Sequence, residues 1–428
     1  MPKVAIVGAG SLVFTRTVVS DLLQQPSTSD VEVHLVDIDA GRLARAQRAV
    51  ERIAERAGRR VPVAAYQDCG EGVRGCNYVI NSIQVGGKEA TLVDFEIPEK
   101  YGVRQTIADT HGIGGISRAL RTVPQVLDIA RAVADNAPDA LLLNYTNPMA
   151  MVVMALQRAG LGRHVGLCHG TEHTISTIAP YMGVARSDLA WTAAGINHMT
   201  WVLELSSGGT DLYPRLRAYA EQADLSTHEE AVRLEILRRF GYFVSESSVH
   251  NAEYFPWFLR PGTAVPPGVR VREYLYRLDD LEAGFSAEEA GWAGDAGPLG
   301  PQSDEYAPRV VAALESGQTY RFMGNVGNQA GLVSNLPTGC CVEVPCFADA
   351  GSVVPGVVGA LPEQCAALNR TAVNVQLLTV AGILEHSRDA VRQAALLDPL
   401  LSAQLSTDQT VALVDDLVEA HGNPSGLA

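Results

Sequence analysis

Residues 3–10 read Lys-Val-Ala-Ile-Val-Gly-Ala-Gly, in which an apolar run is followed by glycines at positions 8 and 10. The run at 4–7 is typical of a buried strand, and Gly8 and Gly10 turn the chain into a helical segment. A second predicted strand at 31–36 ends at Asp37, and Asp39 is placed to cap the next helix. Strand, glycine turn, helix and strand at this spacing predict a parallel sheet with helices on both faces.

The same alternation continues along the first half of the chain, with further apolar runs at 78–80, 141–143 and 165–167. It weakens after about residue 195. There the sequence predicts loops around a short helix at 261–302, three helices at 304–316, 363–386 and 409–420, and a frayed tail at 422–426. We therefore predict an α/β protein, with a Rossmann-type parallel-sheet domain over 1–195 followed by a mixed α/β catalytic domain over 196–428.

Composition excludes several classes of protein. The 428 residues include 33 basic and 48 acidic side chains, so the net charge of −15 disfavours nucleic acid as a partner. The sequence has no apolar stretch of the roughly 20 residues that a membrane span needs, and we expect no membrane association. An odd number of cysteines, seven, and the lack of an evident leader favour a reducing cytoplasm over a disulfide-bonded secreted protein.

The glycine turn predicts a dinucleotide site. Glycine at 8 and 10 lets the backbone approach a pyrophosphate at the N-terminus of a helix. The third position of the usual pattern is Val13, so the glycines alone are weak evidence. Asp37 strengthens the prediction because a carboxylate at the end of the second strand can bind a ribose diol. The same carboxylate would repel a 2′-phosphate, which favours NAD over NADP.

A second group of polar residues follows the later strands, at 144–148, 168–171 and 195–199. In open α/β sheets such segments converge beyond the carboxyl ends of the strands. A thiolate from Cys168 and an imidazole from His198 suit Mn, Fe, Co or Ni, and two protein ligands leave positions open for substrate oxygens. From spacing alone, both residues could equally be ordinary core residues.

Together the motifs resemble glycoside hydrolase family 4, over nearly the whole chain from residue 3 to about 421. The α-galactosidase-like branch is the most similar. The motifs that carry the resemblance are Gly-Ala-Gly-Ser at 8–11, Val-Asp-Ile-Asp at 36–39, Asn-Ser-Ile-Gln-Val-Gly-Gly at 81–87, Gln-Thr-Ile-Ala-Asp-Thr at 105–110, Gly-Gly-Ile-Ser-Arg-Ala-Leu-Arg at 114–121, Asn-Tyr-Thr-Asn-Pro-Met-Ala at 144–150, Gly-Ile-Asn-His at 195–198, Glu-Tyr-Phe-Pro-Trp at 253–257 and Asn-Leu-Pro-Thr-Gly-Cys-Cys-Val-Glu-Val at 335–344.

The resemblance implies a lactate/malate dehydrogenase-like fold and a glycosidase that uses NAD and Mn²⁺ or another divalent transition metal. Transient oxidation at sugar C3 acidifies the C2 proton, a base removes that proton, and metal-assisted elimination and water addition follow. Cys168 and His198 match the metal ligands. His169 matches the proton donor to the leaving group, with a supporting role beside the metal as the alternative. Tyr254 is the expected base.

Other site residues are implied in the same way. His250 and Glu253 are rivals of Tyr254 for the role of base. Asn147 matches a substrate-binding asparagine, although it could simply cap the turn before Pro148. Asp109 is expected to orient substrate or a metal-bound water.

Two further sets complete the predicted site. Arg118 is a candidate substrate ligand, but it and Arg121 could equally be solvated helix residues. The expected cofactor-binding residues are Gly8, Gly10, Ser11 and Asp37.

The run Cys-His-Gly at 168–170 resembles the branch of the family that acts on α-linked uronic acids, glucuronides or galacturonides. Gly170 leaves room, and glutamate there would repel a substrate carboxylate. We therefore favour an α-uronide substrate, with an α-galactoside as the alternative. A uronate pocket needs a cation, and the candidates are Arg118, Lys88, Arg260 and His111.

Two other classes of protein share parts of this pattern. A lactate/malate-type dehydrogenase has the nucleotide fold and an Asn-Pro turn, and it would release NADH stoichiometrically. A non-catalytic NAD-sensing protein would tolerate Cys168→Ser. The expected partner is a small α-glycoside, and the resemblance implies a homodimer or homotetramer.

Overall fold

Six parallel strands form one half of a continuous sheet. The computed structural model describes residues 1–280 and 299–428. The strands are β1 (Lys3–Val7), β2 (Glu32–Val36), β3 (Val63–Tyr66), β4 (Tyr78–Asn81), β5 (Leu141–Asn144) and β6 (Arg163–Leu167). Their order is β3-β2-β1-β4-β5-β6, which is the strand order of dinucleotide-binding folds. The predicted parallel sheet and α/β class are confirmed.

Antiparallel strands extend the same sheet beyond β6. They are β7 (Ala190–Ile196), β8 (Met199–Ser207), β9 (Thr210–Asp211), β10 (Phe243–Val244), β11 (Tyr320–Gly327), β12 (Cys341–Asp349) and β13 (Ser352–Pro355). The order continues from β6 as β11-β12-β7-β8-β10, with β13 on β12 and β9 on β8. This half contains pairings between distant parts of the chain. The boundary at residue 195 stays a prediction.

Helices cover the sheet. They are α1 (Leu12–Gln24), α2 (Ala40–Arg56), α3 (Cys69–Val73), α4 (Gly87–Lys100), α5 (Gly112–Asn136), α6 (Met149–Arg158), α7 (Gly170–Ile178), α8 (Tyr213–Gln222), α9 (Ala231–Phe240), α10 (Ser248–Tyr254), α11 (Tyr306–Ser316), α12 (Glu363–Leu384), α13 (Arg388–Leu396), α14 (Pro399–Ser402) and α15 (Thr407–Ala420). The three late helices lie close to their predicted ranges. The prediction for 261–302 falls partly on 281–298, outside the described residues.

Local sequence accounts for these elements. The Asp39 side chain caps α2 by accepting a hydrogen bond from Arg42 N at 2.9 Å. Leu43, Val50 and Ile53 recur at helical spacing and are buried against the sheet. In the described residues, no helix is long and apolar enough to cross a bilayer.

The predicted frayed tail is wrong. Leu427 is buried, and Ser425 donates a hydrogen bond to the carbonyl of Leu120 on α5. Ala428 N donates to His386 O at 2.8 Å. The tail is ordered because Leu427 covers apolar surface and its backbone polar groups find partners, Asn423 among them.

The carboxyl ends of the parallel strands place the site. Gly8 follows β1, Asp37 follows β2 and Cys168 follows β6, all at one edge of the sheet. The antiparallel half brings His198 to this edge through the turn between β7 and β8. The fold therefore joins the two predicted groups of residues.

Candidate active site

The turn after β1 is shaped for close backbone approach. Gly8 has φ +87°, and a Cβ atom there would lie 3.0 Å from Ile83 N. A Cβ atom on Gly10 would lie 2.6 Å from Asp37 Oδ2. Both positions therefore require glycine, and the turn leaves a cradle without side chains at the start of α1.

Asp37 is fixed beside this turn. Its Oδ2 accepts from Gly10 N at 2.7 Å and its Oδ1 accepts from Asp39 N at 2.9 Å. Ser11 is exposed at the N-cap of α1, and its side chain makes no capping hydrogen bond. The arrangement has the glycines, the carboxylate and the helix N-terminus that a dinucleotide needs, so these residues fit NAD.

A second centre lies at the start of α7. Cys168 Sγ is 3.9 Å from Glu246 Oε1, and His198 Nε2 is 3.4 Å from the same oxygen. One donor atom from each of the three residues lies within 4.8 Å of the other two. The structure thus brings the predicted pair Cys168 and His198 together and adds Glu246, which sequence reasoning missed.

Charge is concentrated at this centre. Burial opposes ionisation of Glu246, yet His250 and His198 beside it lower its pKa to about 2. Burial raises the pKa of the Cys168 thiol, and Glu246 adds to that effect. A bound divalent cation would oppose both effects on the thiol, so the donor set of sulfur, nitrogen and carboxylate oxygen fits a transition metal.

Tyr254 lies against the opposite nitrogen of His198. Its hydroxyl is 3.2 Å from His198 Nδ1, and its ring packs edge-on against His111. Burial raises the pKa of Tyr254 well above its ordinary value, and Asp109 reinforces the effect. The phenol is therefore placed beside the centre in its protonated form.

The two rivals for the role of base have other partners. The Glu253 carboxylate accepts from the backbone N–H groups of Thr106, Ile107 and Ala108, at 2.7, 3.1 and 3.0 Å. His250 Nδ1 lies 3.4 Å from Glu246 Oε2 and 2.9 Å from Ser247 Oγ. Burial lowers the pKa of His250 to about 4. Glu253 thus holds a loop, and His250 supports Glu246.

Asp109 and Asn147 are hydrogen-bonded to each other beside His198. Asn147 Nδ2 donates to Asp109 Oδ2 at 2.9 Å, while Asn147 Oδ1 accepts from Met149 N at 3.3 Å. Asn147 therefore both caps the turn and reaches the site. Asp109 also accepts from Thr110 Oγ1 at 2.7 Å. With His198 and His250 it forms a second possible metal-binding group.

The candidate cations differ in their surroundings. Arg118 and Arg121 are both buried, so the alternative that they are solvated helix residues is wrong. Arg121 pairs with Asp94. Lys88 pairs with Asp279, and Arg260 is exposed. Arg118 is buried and, in the part of the chain that the structure describes, contacts the Tyr274 hydroxyl at 3.5 Å and ion-pairs with no carboxylate.

His111, the remaining candidate cation, is buried, and its Nε2 lies 3.0 Å from the carbonyl oxygen of Asn197. Burial lowers the pKa of His111 to about 3. The side chain is therefore neutral and does not suit a substrate carboxylate.

His169 stands at the mouth of the site. Its side chain is 53% exposed, and Nδ1 lies 3.6 Å from Glu305 Oε1. The nearby carboxylate of Glu305 raises the pKa of His169 and so favours its protonated form. A half-exposed imidazole next to Cys168 suits a donor of protons to a leaving group.

Glu343 ties the two halves of the site together. Its carboxylate on β12 accepts from Thr171 Oγ1 at 2.7 Å and from Asn197 Nδ2 at 3.1 Å. Thr171 lies in the first turn of α7, which follows Cys168, and Asn197 precedes His198. The buried carboxylate therefore sets the distance between the two predicted ligands. The only sequence signal was its place in the motif at 335–344.

Comparison with known proteins identifies the family that the sequence matches. The profile of "Family 4 glycosyl hydrolase" matches residues 3–184, and the profile of its C-terminal domain matches residues 193–401. An α-galactosidase of Bacillus subtilis is 40% identical over 99% of both chains. An α-galactosidase of Rhizobium meliloti is 34% identical over 98% of this chain and 88% of that protein. An α-galacturonidase of Lachnoclostridium phytofermentans is 27% identical over 98% and 95%.

Solved structures show the same fold. A 6-phospho-α-glucosidase from gut microorganisms, in complex with NAD and Mn²⁺, aligns with a TM-score of 0.81 at 20% identity, covering 98% of each chain. A malate dehydrogenase of Plasmodium falciparum in complex with NADH aligns with a TM-score of 0.50 at 11% identity, over 91% of this chain and all of that one. The dehydrogenase-like fold expected from the sequence is confirmed.

Proposed function

The chain belongs to family 4 of the glycosyl hydrolases, and from that premise we propose that it hydrolyses α-galactosides with the help of bound NAD and a divalent metal ion. Membership of this family establishes that the protein is a glycoside hydrolase. The cofactors and the sugar are proposals, and the arrangement of Gly8, Gly10 and Asp37 and the donor set at Cys168 support them.

The cofactors fit the residues present. Gly8 and Gly10 leave the cradle for a pyrophosphate, and Asp37 is placed for a ribose diol. Cys168 and His198 would hold the metal ion, for which Mn²⁺ is a suitable choice. When bound, NAD supplies a hydride acceptor for sugar C3, and the metal ion supplies positive charge beside the C2 and C3 oxygens.

Side chains of this protein then move the protons. The positive charge of a metal ion held beside His198 would lower the pKa of the Tyr254 phenol, so that Tyr254 Oη is placed to take the proton from sugar C2. His169 is placed to donate a proton to the departing glycosidic oxygen. Asn147 and Asp109, which are hydrogen-bonded to each other, are placed to orient the sugar. Bound NAD would serve as both acceptor and donor of the same hydride, so the net reaction with water would be hydrolysis.

The choice of sugar depends on Gly170. The sequence suggested that glycine here leaves room for a uronate. In the structure, a Cβ atom on Gly170 would lie 2.1 Å from Glu246 Oε1, so the Glu246 carboxylate already fills that room. A carboxylate there repels a uronate and tolerates a neutral hexose. Two relatives at 40% and 34% identity are both α-galactosidases, which supports the same choice.

An α-galacturonide is the second candidate because one observation favours it. Arg118 is a buried guanidinium that forms no ion pair within 4 Å among the described residues, although Asp109 lies near enough to interact with its charge. Such a cation could bind a substrate carboxylate in bidentate fashion. Relatives at 27% identity include an α-galacturonidase.

A panel of nitrophenyl glycosides decides between the sugars. We expect kcat/KM with NAD and Mn²⁺ to be at least ~10-fold higher for the α-galactoside than for the α-galacturonide, α-glucuronide or α-glucoside. A higher kcat/KM for the α-galacturonide than for the α-galactoside would contradict the proposed α-galactoside substrate. In that case Arg118→Gln should reduce activity on the galacturonide much more than activity on the galactoside. Stoichiometric release of NADH would instead indicate a dehydrogenase.

All seven cysteines lie in described residues and are unpaired. Together with Cys168 as a metal ligand, this supports the proposal that the protein works in the cytoplasm. A homodimer or homotetramer stays a prediction.

A further inference from the structure

We infer that Glu246 is a third protein ligand of the metal ion and that Gly170 is glycine because it makes room for this carboxylate. The inference rests on the proposed function for the presence of the ion. It adds Glu246 to the site, and it explains the glycine of the Cys-His-Gly run at 168–170 by a close contact within the protein.

The position of the carboxylate is the first argument. Glu246 Oε1 faces both His198 Nε2, at 3.4 Å, and Cys168 Sγ, at 3.9 Å. A single cation can contact all three donor atoms because each pair of them lies within 4.8 Å. The other nitrogen of His198 faces Tyr254 and is not needed for the ion.

The backbone is the second argument. Glu246 has φ +74° and His198 has φ +62°, a left-handed conformation that few residues other than glycine adopt. Such backbone costs about 1–3 kcal/mol per residue and persists where the surroundings impose it, typically at functional sites. Two of the three donors at this centre therefore sit on strained backbone from unrelated loops.

The third argument is the fit between Glu246 and Gly170. Besides the 2.1 Å approach to Oε1, a Cβ atom on Gly170 would lie 2.8 Å from Glu246 Cδ. Real Cβ atoms do not approach other atoms this closely, so a side chain at position 170 and the observed Glu246 exclude each other. The identity of residue 170 thus controls whether the third ligand can reach the ion.

Charge balance follows from the third ligand. A thiolate and a carboxylate with a neutral imidazole carry −2, which matches a divalent cation, whereas Cys168 and His198 alone carry −1. A buried site in which the charges cancel avoids the cost of an uncompensated ion. It also leaves no net positive charge to attract a substrate carboxylate, in line with a neutral sugar.

The rival group of Asp109, His198 and His250 is less suitable. Asp109 already accepts hydrogen bonds from Thr110 and Asn147. His250 Nδ1 lies against Ser247 and Glu246. That group also leaves Cys168 without a role.

Titration of the NAD-bound protein with Mn²⁺ alone, followed by the electron paramagnetic resonance signal of the free ion, tests the inference without substrate. Loss of a residue that only supports a metal ligand typically weakens metal binding by about 10- to 100-fold. Loss of a ligand should cost at least as much, so we expect Glu246→Gln to weaken Mn²⁺ binding by roughly 100-fold. The substitution is isosteric, so the fold should be kept. Asp109→Asn should bind Mn²⁺ like the parent protein.

The glycine gives the sharper test. Gly170→Ser changes no donor atom but should weaken Mn²⁺ binding as well, because it displaces Glu246. Gly300→Ser, at a glycine where a Cβ atom would meet no described residue within 4 Å, is the matched control and should bind normally. The double variant of Gly170 and Glu246 should be no weaker than Glu246→Gln alone, since both changes remove the same contact.

Three outcomes would overturn the inference. If Glu246→Gln bound Mn²⁺ like the parent protein, Glu246 would not be a ligand of the ion. If the losses of affinity in the double variant were additive, Gly170 would act independently of Glu246. Loss of binding in Asp109→Asn but not in Glu246→Gln would assign the ion to the rival group. Failure of the parent protein itself to bind Mn²⁺ would reject the metal dependence in the proposed function, which distinguishes the two failures.

Discussion

The proposed role of Tyr254 as the base that removes the sugar C2 proton can be tested by a single substitution. Its hydroxyl lies 3.2 Å from His198 Nδ1 in a buried environment. If the phenol takes the C2 proton, Tyr254→Phe should lower kcat by about 10²–10⁴-fold and leave KM nearly unchanged. Steady-state kinetics on nitrophenyl α-galactoside measure both constants. Tyr242→Phe is the control, and a parent-like kcat in Tyr254→Phe would return the role to His250 or another group.

The role of His169 can be tested through the leaving group. Nitrophenolate departs without protonation, whereas an alkoxide needs a proton. His169→Gln should therefore lose about 10²-fold or more on methyl α-galactoside but much less on the nitrophenyl glycoside. Equal losses on both substrates would show that His169 supports the metal centre instead.

Single residues also show what sequence can and cannot predict. Cys168 and His198 follow from local motifs, and the structure places them together as expected. Glu246 could not be predicted because it lies 78 residues after Cys168, and only the fold brings it to Gly170. The roles assigned to Tyr254 and His169 stay predictions.

At the scale of elements, helix α10 holds the loop before α5. Glu253 accepts hydrogen bonds from three successive backbone N–H groups in that loop, and the next residue is Asp109. Glu253→Gln replaces one of the two acceptor oxygens by an NH2 group that cannot accept from a backbone N–H, and this should destabilise the protein by about 1–3 kcal/mol. Because Asp109 is then poorly held, KM should rise more than kcat falls.

Thermal unfolding and the split between KM and kcat measure these two effects. Glu235→Gln, which changes a surface carboxylate on α9, is the matched control. If Glu253 were the base, kcat would collapse at unchanged KM, contrary to its role as a positioning residue.

The N-terminus of α14 gives a prediction for pH. Asp398 caps this helix, and burial raises its pKa from 3.8 to about 6. A raised pKa means that its contribution to folding is fullest below pH 4 and is lost as the pH rises through about 6. At 1.36 kcal/mol per unit of pKa shift, a shift from 3.8 to about 6 lowers the free energy of unfolding by about 3 kcal/mol over this pH range.

Asp398→Asn removes this dependence and keeps a side-chain oxygen for Leu401 N. Relative to the parent, the variant should therefore gain stability between pH 4 and pH 8. Denaturant unfolding at the two pH values measures the gain. A stability difference that does not change with pH would contradict the assignment.

At the scale of the whole molecule, the parallel half could be predicted because each strand is a short apolar run with its own turn. The antiparallel half could not, since its contacts join distant segments. Gly195 on β7 pairs with Glu343 on β12, and no local pattern signals that pairing. The prediction for the tail was wrong for the same reason, because its partners Leu120 and His386 are distant in sequence.

The most direct test of the proposed chemistry is the dependence of hydrolysis on NAD. The protein is stripped of nucleotide, supplied with Mn²⁺ and assayed on nitrophenyl α-galactoside with and without added NAD. We predict no hydrolysis without NAD, full recovery on its addition and no accumulation of NADH during many turnovers. Equal hydrolysis in the absence of NAD would contradict a mechanism in which the sugar is transiently oxidised.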